Sequence, residues 1–151
     1  MHPTALKVAV RLRAAGLDVD VIELDASTRT AEEAAAAAGC ELGQIVKSLV
    51  FADGDGPVLV LCAGDRRVDT ALVGDEVRRA SPDEVREATG FAIGGVPPLG
   101  HERSVRTLVD ESLRRFATVW CAAGTPRAVF EVETERLIAA IPGADVRAVT
   151  A

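Results

Sequence analysis

The strongest constraint on how this chain folds is a pair of apolar runs, 45–52 and 57–63, on either side of Asp53-Gly54-Asp55-Gly56. Asp-Gly pairs favour tight hairpin turns, because glycine adopts positive φ without steric cost and the Asp side chain bonds to its own backbone. Two long strands joined by so short a turn pair antiparallel. Both arms are almost continuously hydrophobic, the pattern of a sheet covered on both faces. The rest of the chain has to supply those covers.

One residue interrupts the first arm. In a strand, Ile45, Lys47 and Leu49 share one face, and Val46, Ser48 and Val50 the other. The chain has two lysines, Lys7 and Lys47, against fifteen arginines. Generic positive charge is therefore carried by arginine, and an ammonium inside an apolar run is a specific choice. Lysine is a compact point charge whose pKa falls on burial. Among apolar neighbours Lys47 either reaches into a pocket or lies at a strand edge with its head in solvent.

Helices and further strands follow from local signals. Residues 2–15 read as a helix closed by Gly16, and 19–24 as a β-branched strand. Thr30 and Glu33 have capping-box spacing ahead of an alanine-rich helix that ends at Gly39. Residues 69–73 read as a short helix or turn. Ser81-Pro82-Asp83-Glu84 starts a helix that stops at Gly90. Strands are expected at 91–93, 105–109, 118–121 and 128–132, with a helical turn from Asp110. Thr134 is expected to cap a last helix, and 146–149 to form an edge strand. Strands interspersed with short helices indicate an α+β fold.

The 151 residues fit one domain, 1–151, with a real core. The longest clean apolar run, 58–63, is too short to span a bilayer, so no membrane partner is expected. Lys7, Arg11 and Arg13 break any signal-peptide core. Three scattered cysteines, Cys40, Cys62 and Cys121, point to a reducing cytoplasm and to core filling rather than to a zinc site. A net charge of −6 argues against a long nucleic-acid footprint and leaves room for contact with a single-stranded end.

Motifs for nucleotide, metallohydrolase and serine-hydrolase chemistry are absent from the sequence. His101 is the one histidine placed to serve a triad, or else a loop residue held by backbone. The most informative loop is Gly94-Gly95-Val96-Pro97-Pro98-Leu99-Gly100. Glycine permits close backbone approach and proline fixes the chain. Such a loop forms either a preorganised oxyanion hole or a rigid connector.

Four stretches occur in order: 27–35 (Ser-Thr-Arg-Thr-Ala-Glu-Glu-Ala-Ala), 43–51 (Gly-Gln-Ile-Val-Lys-Ser-Leu-Val-Phe), 94–101 (Gly-Gly-Val-Pro-Pro-Leu-Gly-His) and 123–126 (Ala-Gly-Thr-Pro). With these the chain resembles the YbaK/ProX family, relatives of the editing domain inserted in bacterial prolyl-tRNA synthetases. The resemblance implies a twisted, barrel-like mixed sheet surrounded by short helices. It implies trans-editing: hydrolysis of the ester of a mischarged aminoacyl-tRNA, with proline tRNA as the expected carrier. The family's lysine maps onto Lys47 and its Gly-x-x-x-Pro loop onto Gly94 and Pro98. Thr28, Ser48, His101, Asp110 and Gly124 fall in or beside matching stretches as substrate-contact candidates. An aminoacyl ester is already activated, so water can attack while backbone donors at Gly94 and Gly95 hold the oxyanion. Lys47 would then anchor the terminal phosphate or orient the aminoacyl group, and binding is the preferred role. The ribose hydroxyl would help to place the water. No cofactor or metal is implied. The partners implied are the tRNA acceptor end and, left open, a synthetase. Arg66-Arg67, Arg78-Arg79, Arg103 with Arg106, and Arg114-Arg115 are candidate phosphate contacts, for weak and salt-sensitive binding. A non-catalytic binding module and a hydrolase of another ester or thioester are the competing readings.

Overall fold

A computed structural model of the chain describes residues 1–25 and 30–151. The hairpin forms as expected. Strand β2 (Val46–Asp53) and strand β3 (Gly56–Ala63) pair antiparallel from Val46↔Ala63 to Asp53↔Gly56, closing on a two-residue turn. β3 is buried on both faces from Val58 to Ala63, whereas β2 is half-exposed over Lys47, Ser48 and Leu49.

The covers come from the remaining elements. Helix α1 (Pro3–Ala14) is capped by His2, whose Nδ1 accepts from the Thr4 N–H at 3.0 Å. It buries Ala5, Val8 and Leu12. Strand β1 (Val21–Glu23) precedes helix α2 (Ala31–Ala38), which Thr30 caps. A 3-10 turn (Leu42–Gln44) leads into β2. After β3 come the short helix α3 (Thr70–Val73), strand β4 (Arg78–Arg79) and helix α4 (Pro82–Thr89), with the complete Ser81/Glu84 capping box. Strand β5 (Arg106–Asp110), a 3-10 turn (Glu111–Arg115), strands β6 (Thr118–Ala122) and β7 (Ala128–Glu133), helix α5 (Thr134–Ala140) and strand β8 (Asp145–Arg147) complete the chain.

Two sheets result, one ordered β4-β2-β3-β5-β8 and one ordered β1-β7-β6. Among the described residues a single parallel bridge, Ile45↔Trp120, joins them, so the twisted mixed sheet is a barrel-like pair of sheets. The main core lies between them and takes Val46, Val50, Leu59 and Leu61 from one face of the hairpin. The opposite face carries a second cluster of Phe51, Val58, Val60, Val73, Leu108 and Val149. Among the described residues no helix is long and apolar enough to cross a membrane.

Three local expectations are corrected. Residues 91–93 are not a strand: the Phe91 N–H bonds to Thr89 Oγ1 at 3.1 Å and the chain turns tightly, Gly95 N–H to Ala92 C=O. Thr134 is the first helical residue, not the cap, because its hydroxyl is used on the Phe116 carbonyl at 2.7 Å. The last strand ends at Arg147, because the Val149 N–H goes to the Asp110 carboxylate at 2.8 Å instead of a ladder.

Candidate functional site

The outer edge of β2 faces a cavity of about 260 Å³. Two hydrogen bonds define that edge. The Gly64 N–H donates to the Ile45 carbonyl, on the β3 side, and the Ala80 N–H to the Val50 carbonyl, on the β4 side. Antiparallel ladders alternate, so Lys47, Leu49 and Phe51 bond to β3, while Val46, Ser48 and Val50 direct N–H and C=O outward. The outer edge is covered at Ile45 by Trp120, and again from Val50 onward by Ala80, Arg79 and Arg78. Between those covers lies Ser48.

The other walls are small and apolar. Ala31, Ala34 and Ala38 line one side, at spacings of three and four that place them on one face of α2. Trp120, Ala122 and Val129 come from the β6–β7 sheet, Val85 from α4, and Ile93, Gly94 and Val96 from the glycine-proline loop. Among the described residues no Asp or Glu lines the cavity; its charged members are Lys47 and Arg79. Arg79 lies over the Phe51 ring at 5.7 Å and has no carboxylate partner among the described residues. Arg78, by contrast, is held bidentately by Glu84, Arg114 by Glu135 and Arg115 by Asp65. Arg106 pairs with Asp53 at 3.6 Å. Of the four arginine pairs singled out in the sequence, only Arg79 borders the cavity.

Lys47, Ser48 and Gly94 meet at the cavity. The Lys47 ammonium donates to the Arg66 carbonyl, on the face shared with Leu49 and Phe51, across β2 from Val96. The Ser48 hydroxyl is buried without a hydrogen-bond partner among the described residues, on the face of Val46 and Val50. Gly94 has φ +85° and is exposed, and its N–H has no backbone partner among the described residues.

The other described candidates sit outside the cavity. Gly95 lies behind it: its N–H is used on Ala92, and its carbonyl accepts from Gly124 N–H at 2.9 Å. A Cβ on Gly95 would sit 2.7 Å from the Gly124 carbonyl oxygen. Gly124 in turn packs on Val8 and Thr4 of α1. The two glycines therefore lock the loop to the β6–β7 turn. Pro98 and His101 border a separate groove. His101 Nε2 donates to the Pro97 carbonyl at 2.7 Å, and burial lowers the pKa of the ring. The imidazole thus staples the loop, and Arg11 holds it from below through the Gly100 carbonyl at 2.9 Å. Asp110 is buried at the far end of β5. Burial alone would raise its pKa. Hydrogen bonds from Ser112, Val149 and Thr150 outweigh that and hold its carboxyl below the ordinary value. Thr28 lies outside the described residues. Burial pushes the Cys62 thiol up to about 11 and raises Cys40 and Cys121 also, so none is an activated nucleophile.

Sequence reasoning missed the α2 wall, Trp120 and the open gap at Ser48. The alanine spacing of α2 was a usable signal; the gap was not, since it depends on where β4 ends.

A small apolar cavity, free of carboxylates among the described residues, with an open backbone edge and a cationic border, is suited to a short acyl group whose attached anion stays outside. The profile of the aminoacyl-tRNA editing domain matches residues 25–140, and the chain belongs to that family. It is 39% identical to a Bacillus subtilis protein of unassigned role, YwhH, over 78% of each chain. A crystal structure of a protein provisionally described as a trans-editing enzyme for prolyl tRNA synthetase superposes with a TM-score of 0.93 at 48% identity, covering 100% of this chain and 99% of that one. A Lactobacillus gasseri proline–tRNA ligase is 38% identical over 50% of this chain, a match that spans 14% of the ligase.

Proposed function

We propose that this protein is a cytoplasmic trans-editing deacylase, a single domain over 1–151, that hydrolyses the ester of mischarged aminoacyl-tRNA, with proline tRNA as the carrier. The observation that carries this is the cavity itself: small, apolar, bordered by Lys47 and Arg79 and by the Gly94 N–H, which has no backbone partner among the described residues. Membership of the editing family and the likeness to a prolyl trans-editing protein support it. The aminoacyl group enters the cavity, and the terminal phosphate stays at the cationic border. Water adds to the ester carbonyl, and the oxyanion is held by the Gly94 N–H, since the Gly95 N–H is already used. The intermediate collapses with cleavage of the acyl–oxygen bond. The ribose oxygen takes a proton, and free amino acid and tRNA leave. No side-chain nucleophile is required.

Lys47 acts in binding, swinging from the Arg66 carbonyl to the phosphate when tRNA arrives. The test is a panel of mischarged tRNAs with wild-type protein and Lys47→Ala. Wild type should clear at least one member, and the variant should raise KM more than it lowers kcat. A panel left intact by wild type would overturn the deacylase reading. An unchanged KM in Lys47→Ala would remove Lys47 from it.

A further inference from the structure

The gap in the outer edge of β2 has the dimensions of one residue. β4 pairs with β2 at Phe51↔Arg79 and Ala52↔Arg78, and Ala80 continues the ladder to Val50. Extended by two more residues in the same register, that strand would place residue 82 opposite Ser48. It does not extend, because Ser81 caps α4 and the chain turns away at Pro82. On the other side, the Ile45↔Trp120 bridge ends cover from β6. Among the described residues Ser48 is thus left with an unpaired outward N–H and C=O between two closed ends, above the cavity. An unpaired edge of this kind is a template for another backbone.

Resting on the deacylase reading, we infer that the aminoacyl group binds as the missing strand residue, antiparallel to Ser48. In such a pair the two residues exchange both hydrogen bonds. The α-ammonium of the substrate donates to the Ser48 carbonyl. The ester carbonyl accepts from the Ser48 N–H, and from the Gly94 N–H across the cavity. A backbone carbonyl then meets the ammonium, which accounts for a cavity with no carboxylate among the described residues that still takes a cationic group. When water adds, the carbonyl oxygen that becomes an oxyanion already rests on the Ser48 donor, and it returns to a carbonyl as the ribose oxygen leaves with its proton. Opposed residues in an antiparallel pair point their side chains to the same face. The substrate side chain therefore lies with that of Ser48, toward Val50, Val85 and Val96. The substrate class is an ester of a small α-amino acid with its amino group free.

The test removes one atom group. Replacing the Lys47–Ser48 amide by an ester, with glyceric acid placed at position 48, deletes the outward N–H and keeps every β2–β3 donor, while weakening the Lys47 carbonyl as the acceptor opposite Cys62. The variant should melt only slightly below wild type and lose about 100-fold in kcat/KM on a mischarged tRNA that wild type clears. Wild type should likewise discriminate against a propionyl ester on the same tRNA relative to the alanyl ester. A non-hydrolysable 3′-alanylamido adenosine should slow hydrogen exchange of the Ser48 amide. Full activity in the backbone-ester variant, or equal clearance of propionyl and alanyl esters, would overturn this inference and leave the deacylase reading standing. A wild type that neither clears the panel nor protects the Ser48 amide would overturn both.

Discussion

The two edges of β2 are built from the same eight residues and behave as different materials. The inner edge pairs with β3 along its whole length, and β3 itself is buried on both faces. The outer edge is touched at its two ends and open between. Alternation makes the division strict: odd-numbered residues direct N–H and C=O to β3, and even-numbered ones direct theirs to the outer edge, where Ala52 meets β4 and Ser48 the cavity. Lys47 and Ser48 are neighbours in sequence and belong to opposite sides of that division. The backbone of Lys47 serves the ladder and its ammonium rests on Arg66, while the outward N–H and C=O of Ser48 have no backbone partner among the described residues. A strand can thus be fully structural along one side and available for chemistry along the other.

Proline scanning breaks the comparison most directly. Leu49→Pro removes an inner-edge donor and orphans the buried carbonyl of Val60, at a cost of about 3 kcal/mol. Thermal unfolding followed by circular dichroism should show Tm lower by roughly 10 °C for a chain of this size. Ser48→Pro, at an outward position that edge strands tolerate, should move Tm by a small fraction of that. Equal losses would contradict the assignment of the two edges.

A smaller effect is expected at Gly95→Ala. The added methyl meets the Gly124 backbone at 2.7 Å, where neither side yields easily. Overpacking of this kind costs about 1–3 kcal/mol, or a few degrees in Tm. It should also displace Gly94 and lower deacylation, whereas a Tm and activity equal to wild type would show that the two glycines are not locked.

The smallest effect sharpens the far end of the structural side. The carboxyl of Asp110 is held below its ordinary value in the folded state. Its contribution is therefore fully present above the unfolded value of about 3.9 and is lost as pH falls through the lower folded value. Asp110→Asn should destabilise at neutral pH, and the difference from wild type should shrink as urea titrations are carried down from pH 6 toward pH 2. A difference that grew on acidification would reverse this account.

Much of the frame was legible in the residues. Asp-Gly pairs announced the hairpin, Thr30 and Ser81 announced helix starts, and the Gly94–Gly100 composition announced a rigid turn. What escaped was decided by competition for hydrogen bonds between distant segments. Thr89 took the Phe91 N–H, and Phe116 took the Thr134 hydroxyl. Asp110 was a substrate-contact candidate beside the family stretches, yet its oxygens are taken by Ser112 and the C-terminal segment. His101 was readable as a base or a staple; the 2.7 Å bond to Pro97 occupies its Nε2 proton. Gly94 and Gly95 are equivalent in sequence, and a local turn uses the Gly95 N–H and leaves that of Gly94 without a backbone partner among the described residues.

The plugged ends of the outer β2 edge also bear on solubility. A long bare strand edge invites further copies of a chain to add themselves, the route to fibrous aggregates. Here Trp120 stops one end of the opening and Ala80 the other, so a second chain finds a single rung and no ladder to climb. The protein keeps unsatisfied backbone on display without becoming a seed for its own polymerisation.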